Sequence, residues 1–204
     1  MVRIVQLASR GLEVPGEFWE CGVYRGYTSK LLAGLLRENQ PRTLRLFDTF
    51  HGRPPIGPKD GTVGHSDFNG GKLEQEVRLA VPDEFASIHK GLIPETFKGL
   101  EDSKIAFAFV DLDLYQSTKD ALEFILPRLQ KGGLVVIHDY NESRCWPGVK
   151  IAVDELVSPN YRLSIQGEYA IVEEVMADEK KKTIENKAVR IIVPTGAMAG
   201  KPGR

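Results

Sequence analysis

Two short runs of almost uninterrupted apolar residues constrain this chain most: residues 105–111 (IAFAFVD) and 134–139 (LVVIHD). A strand with one wet face alternates apolar and polar side chains, whereas a strand covered on both faces does not. Each run has the length of a strand, and each ends on an acid. A parallel sheet with helices on both faces is the architecture that covers strands in this way. The rest of the chain fits it. Residues 17–23 (EFWECGV) and 43–49 (TLRLFDT) read as two earlier strands, and 86–90 as a weaker one between. Helical patterns alternate with them. Leucines at 31, 32, 35 and 36 give residues 28–37 one apolar face, and a further helix is expected at 72–79. Ser117 with Asp120 resembles a capping box. The helix it opens carries Leu122, Ile125 and Leu129, runs to about residue 130 and stops at Gly132 and Gly133. A last helix is expected at 149–157, and residues 161–175 read as an antiparallel hairpin on the sheet edge. The predicted fold is a Rossmann-like α/β domain, with a mostly parallel twisted sheet and helices on both faces.

A length of 204 residues suits one domain, expected over 1–176. From 177 to 204 the charged run ADEKKKTIENK and the ending GAMAGKPGR read as a solvated extension, with one further strand at 188–193 and a loose tail. Residues 50–70, rich in Gly and Pro, are too long for an idle connection and are expected to order over a ligand. A formal net charge of −1 gives no electrostatic case for nucleic acid or an anionic membrane. Cys21 and Cys145 form no CxxC pair, the start lacks the apolar core of a signal peptide, and no run approaches the roughly 20 apolar residues of a membrane span. The expectation is a cytoplasmic protein whose partner is a small molecule.

In open α/β sheets ligands bind beyond the carboxyl ends of the strands. The first strand delivers Glu20, Gly22, Val23, Tyr24 and Gly26, an E-x-G-x-x-x-G pattern that opens onto the helix carrying Thr28 and Ser29. The spacing is not the G-x-G-x-x-G that seats a pyrophosphate. A cofactor with a single carboxylate, such as S-adenosylmethionine, needs less glycine. Asp48, with Thr49 after it, ends the second strand, where a carboxylate suits a ribose diol. The strands at 105–111 and 134–139 deliver Asp111, Asp113, His138 and Asp139. If the two strands are neighbours, Asp111 and Asp139 face each other. Carboxylates that close repel unless a proton or a cation lies between them, and a divalent metal is the natural answer.

The segments ECGVYRG, LFDTFHGRP, VDLDLYQSTKDAL, LPRLQKGGLVVIHDY and PGVKIAVDE, spread over roughly residues 17–157, resemble the macrocin O-methyltransferase (TylF-like) family. That group methylates sugar hydroxyls of natural products. The resemblance implies a class I methyltransferase fold and S-adenosyl-L-methionine, with Glu20 and Gly22 lining its site and Asp48 holding its ribose; Val23, Tyr24, Gly26, Thr28, Ser29, Thr49 and Asp111 complete the expected cofactor site. It implies a divalent metal, magnesium in the family and magnesium or manganese here, on Asp111, His138 and Asp139, and Asp113 as general base. His138 stands where the family usually has an acid. A nitrogen ligand suits magnesium poorly and manganese or zinc better, and His138 could itself serve as the base. Family members carry a longer segment before the first strand, for a lid and oligomer contacts; sixteen residues precede it here. A homo-oligomer is a possible assembly.

Other residues carry weaker signals. Tyr115, Tyr140 and Trp146 could stack on an acceptor ring or simply pack. His51 and His65 read as solvated loop residues and His89 as structural. Arg25 and Lys90 could meet the cofactor carboxylate or only solvent. Two other readings remain open on the residues alone: a nicotinamide-dependent oxidoreductase, and a non-catalytic small-molecule binder.

Overall fold

A computed structural model describes residues 2–39, 42–61, 72–81, 84–142, 147–157 and 160–174. The order of elements is α1 (Val2–Gly11), β1 (Glu17–Cys21), α2 (Tyr27–Glu38), β2 (Leu44–Asp48), α3 (Leu73–Ala80), β3 (Ala86–Lys90), β4 (Ile105–Val110), α4 (Tyr115–Ile125), β5 (Leu129–Ile137), α5 (Pro147–Leu156), β6 (Tyr161–Gln166) and β7 (Tyr169–Glu174). The strands form one seven-stranded sheet in the order β3-β2-β1-β4-β5-β7-β6. The first five are parallel, and β7 runs antiparallel to both β5 and β6. The chain winds outward from β1 through β2 to β3, then returns to place β4 on the other side of β1. A crevice opens at such a reversal, beyond the strand ends.

Alternation along the buried strands, broken in β4 at Ala106 and Phe107, feeds two cores. Phe18, Leu46, Phe107, Phe109, Val136 and Ile171 face one side, where they meet Ile4 and Leu7 of α1, Leu32 and Leu36 of α2 and Val77 of α3. Trp19, Phe47, Ala108, Val110, Val135 and Ile137 face the other, against Leu122 and Ile125 of α4 and Val149 and Val153 of α5. This double cover is why every residue of β4 is buried. No helix among the described residues is long and apolar enough to cross a membrane.

The structure corrects the sequence reading in three places. Residues before β1, assigned to no element, form α1, whose end is held by the Arg42 guanidinium donating to the carbonyls of Gly11, Leu12 and Val14. The start of α4 lies at Tyr115, so Ser117 is a buried residue inside the helix and no capping box forms. Gly132 and Gly133 do not stop a helix. After Ile125 comes one 3-10 turn, Leu126–Arg128, and β5 already begins at Leu129. The glycines lie where pairing slips, since Ile105 faces Leu129 but Phe107 faces Leu134. A Cβ on Gly133 would stand 2.9 Å from the Ala106 carbonyl, so the slip needs glycine. The expected strand at 188–193 and the tail fall outside the described residues, as do residues 62–71 of the long loop.

Candidate active site

The turn after β1 is built by close backbone approach. Gly22 sits at φ 90°, and a Cβ there would lie 1.9 Å from the carbonyl oxygen of Asp111. Only glycine lets the ends of β1 and β4 pass so closely. Gly26 at φ 74° then turns the chain into α2. Asp48 braces the loop between them. Its Oδ2 accepts from the N–H groups of Val23 and Tyr24 at 2.7 and 2.8 Å, and its Oδ1 from Phe50 N–H at 2.7 Å. A carboxylate oxygen has about two acceptor positions, so only Oδ1 keeps capacity for another donor. Much of the capacity of the Asp48 carboxylate is therefore taken by the backbone of its own loop.

These residues enclose a cleft of about 260 Å³ at the β1–β4 reversal. Glu20, Gly22, Val23, Tyr24, Thr28, Asp48, Thr49, Asp111 and Asp113 line it, while Gly26 and Ser29 are not part of its lining. Glu20 is 1% exposed, and its Oε2 has no hydrogen-bond partner. Burial pushes its carboxyl up to about 8, and the nearby charges of Asp111 and Asp48 add to the rise. The Ser29 hydroxyl opposes it without meeting hydrogen-bond geometry. A buried acceptor without a donor is costly alone, and it fits a ligand that brings a hydroxyl or an ammonium.

Next to the cleft, the ends of β4 and β5 converge as expected. One ligand atom each from Asp111, His138 and Asp139 lies within 4.8 Å of the others. His138 Nδ1 is 3.2 Å from Asp111 Oδ1 and 3.0 Å from Asp139 Oδ1. Burial disfavours the charged ring, but hydrogen bonds and charge from both acids outweigh it and raise the imidazole to about 10. Asp139 holds a left-handed backbone at φ 61°, as does Asp113 at φ 63°. Burial raises the Asp113 carboxyl to about 7; Asp111 and Asp139 add to this and Arg53 opposes it.

Two residues of the site were not singled out from sequence. Arg53 pairs with Asp113 at 2.8 Å and lines the same cleft. Asp60, 2% exposed, accepts from Tyr115 N–H at 2.6 Å and from Gly57 N–H at 2.8 Å. It supplies the N-terminal partner that α4 lacks from its own residues. The first part of the long loop is thereby tied to α4, and Lys59 adds an ion pair to Glu155 of α5. The only sequence signal for either was position: Arg53 is the penultimate residue of the LFDTFHGRP motif, which ends at Pro54, and Asp60 lies beyond it.

Among the remaining described candidates, Arg25 lines the cleft and the others lie elsewhere. Tyr115 donates to Glu155 and Tyr140 to Asp154, so both hydroxyls serve packing around α5. His89 stacks on Phe47, Lys90 pairs with Glu74, and Arg25 lies over the Tyr24 ring. His51 is exposed, with Nδ1 near its neighbour's carbonyl. His65 and Trp146 fall outside the described residues.

The chain is similar to proteins already known. The 8-demethyl-8-(2,3-dimethoxy-alpha-L-rhamnosyl)-tetracenomycin-C 4'-O-methyltransferase of Streptomyces olivaceus is 33% identical over 145 residues, covering 65% of this chain and 56% of that protein. The demethyldecarbamoylnovobiocin O-methyltransferase of Streptomyces niveus is 33% identical over 159 residues, covering 71% of this chain and 59% of that protein. The chain thus spans less than two thirds of the length of both relatives. The crystal structure of the calicheamicin methyltransferase CalS11 superposes with a TM-score of 0.72 at 26% identity, covering 84% of this chain and 77% of that one. The sheet, its crevice and the antiparallel hairpin are those of the class I methyltransferase fold. The family description Macrocin-O-methyltransferase (TylF) matches residues 7–160, from α1 to the start of the hairpin, and the chain belongs to that family.

Proposed function

We propose that this chain is an S-adenosylmethionine-dependent O-methyltransferase that acts on a sugar hydroxyl of a glycosylated small molecule, with a divalent cation at Asp111, His138 and Asp139. The observation that carries this reading is the double role of Asp111, which lines the cofactor-sized cleft and belongs to the three-ligand corner. A methyl donor in the cleft and an acceptor at the corner would meet across one residue. The names of two relatives point to the acceptor: one methylates a rhamnosyl-bearing tetracenomycin, another mycinamicin III.

The cofactor supplies an activated methyl group on a sulfonium. Glu20 offers its unpartnered Oε2 to a hydroxyl or ammonium of that cofactor, and Asp48 offers the remaining position on Oδ1. The first turn of α2, with Thr28 in the lining, presents N–H groups to a carboxylate. Two carboxylate oxygens and one imidazole nitrogen fit a divalent cation, with manganese, cobalt or zinc suited better than magnesium. Such a cation would lower the pKa of an acceptor hydroxyl. Asp113 would accept the proton of the acceptor hydroxyl on a carboxylate oxygen as that oxygen is methylated. Arg53 pairs with that carboxylate at 2.8 Å. Holding the two reactants at about 3–3.5 Å supplies much of the rate.

A second reading rests on the corner itself. The imidazole already bridges both carboxylates, so a protonated His138 could take the place of the cation. The test is methyl transfer from labelled S-adenosylmethionine to a panel of neutral glycosides, with and without EDTA. Transfer abolished by EDTA and restored by manganese supports the metal reading. Full transfer in excess EDTA supports the imidazolium reading, and no transfer to any glycoside defeats the acceptor assignment. Calorimetry with S-adenosylhomocysteine and NAD separates a methyltransferase from an oxidoreductase.

A further inference from the structure

The antiparallel hairpin closes the corner from a side that the strand-end residues do not reach. Ile137 of β5 pairs with Ala170 of β7, which brings Tyr169 beside His138. The Tyr169 ring is nearly buried and its centroid stands 5.1 Å from the imidazole, at an interplanar angle of 50°. Phe109 of β4 meets the same imidazole at 6.5 Å and 60°. The hairpin turn is clasped to the segment after β5: Tyr140 N–H donates to the Glu168 carbonyl at 2.9 Å, and Asn141 donates its side-chain amide to the Gly167 carbonyl at 2.6 Å. Tyr169 is therefore fixed by the β5–β7 ladder on one side and by this clasp on the other.

An imidazole needs such walls. A carboxylate presents two equivalent oxygens whichever way it rotates. An imidazole offers two different nitrogens in different directions, and a turned ring takes its donor out of the corner. Metal-bound histidines are accordingly oriented by their surroundings.

We infer that Tyr169 is a positioning residue that holds the His138 ring with Nδ1 toward Asp111 and Asp139, and so makes this corner a site for cations that accept a nitrogen ligand. The inference rests on the metal reading proposed above. Its test is titration of cobalt(II) chloride into the full chain, followed by the visible ligand-field bands, with thermal unfolding as the check on folding. Tyr169→Phe keeps the ring and should bind cobalt as the wild type does. Tyr169→Ala should weaken binding by about ten- to a hundredfold, the usual effect of losing an orienting neighbour, and should alter the bands. In a His138→Asp background the same Tyr169→Ala change should have no further effect, because a carboxylate needs no orienting wall. If Tyr169→Ala does not fold, Tyr169→Leu takes its place. Unchanged cobalt affinity and bands in Tyr169→Ala, or an equal loss in both backgrounds, overturns the inference while the metal reading stands. A wild type that binds no cobalt overturns both.

Discussion

Arg53 places its Nε 2.8 Å from Oδ2 of Asp113, and both side chains are largely enclosed, at 12% and 17% exposure. The pair joins the loop after β2 to the turn after β4, so the proposed base is held by a residue distant in sequence. Removing one partner of an enclosed ion pair leaves the other charge uncompensated. Arg53→Ala should lower kcat for methyl transfer about tenfold or more, the cost of leaving an enclosed carboxylate without its paired charge. Arg53→Lys should recover part of it. Comparing kcat with S-adenosylhomocysteine affinity checks the assignment, because a pure folding defect would lower both.

Asp60 caps a helix that lies 55 residues further along the chain. Asp60→Ala leaves the Tyr115 and Gly57 N–H groups without their acceptor and should cost about 2 kcal/mol in denaturant unfolding. Asp60→Asn keeps one acceptor oxygen and should cost less. Equal stability of Asp60→Ala and wild type would remove the cap from the account.

Glu20 stands at about 8 in the fold, against an ordinary 4.5. The fold therefore favours its protonated form. That stabilising contribution is fully present below the ordinary value and is lost as pH rises through the folded one. Without cofactor, the wild-type unfolding midpoint relative to Glu20→Gln should fall between roughly pH 5 and pH 8. Parallel curves for the two proteins across that window would contradict the buried, donor-free carboxylate.

Gly22→Ala tests the β1–β4 approach. The new Cβ would meet the Asp111 carbonyl at 1.9 Å on a backbone held at φ 90°. We expect a loss of at least about 2 kcal/mol from strain and overpacking, together with loss of cofactor binding. Retained affinity by calorimetry would mean that the two strand ends can separate.

At the corner, Asp139→Asn isolates charge from shape, because Asn tolerates the left-handed backbone that Asp139 adopts at φ 61°. Methyl transfer should be largely lost while S-adenosylhomocysteine affinity holds, since Asp139 does not line the cleft. His138→Asp should move metal preference toward magnesium. Unchanged preference among magnesium, manganese and cobalt would show that residue 138 is not a ligand.

Much of the architecture could be read from the sequence, and the exceptions share a cause. Strands β4 and β5 announced themselves because burial on both faces leaves an unbroken apolar run. Their ends then located Asp111, His138 and Asp139 together. Gly22 was visible because a tight turn after a strand has a local signature. Gly132 and Gly133 misled because glycine marks a slipped register as readily as a helix end, and only the pairing of Phe107 with Leu134 distinguishes them. Ser117 misled because the real cap, Asp60, comes from another part of the chain. Arg53 carried no pattern of its own, since its meaning depends on where the loop after β2 travels. Local rules find what neighbours in sequence decide; these residues answer to neighbours in space.

The Asp60 junction also bears on the order in which the molecule assembles. A Cβ on Gly148 would come within 2.1 Å of Asp60 Oδ1 and 2.7 Å of Tyr115 N, so the start of α5 is pressed directly onto the cap. Until α4 has formed, Asp60 can hold only Gly57 of its own loop, and its seat is closed only when α5 has docked. Contacts of such sequence separation bear the full entropy of closing the chain before they return anything. The loop bearing Arg53 is therefore a late arrival on an already formed sheet. The reverse path follows the same junction: local opening at Asp60 would release Arg53 from Asp113 while every strand stayed paired, and the protein would lose its reactive arrangement well before it lost its fold.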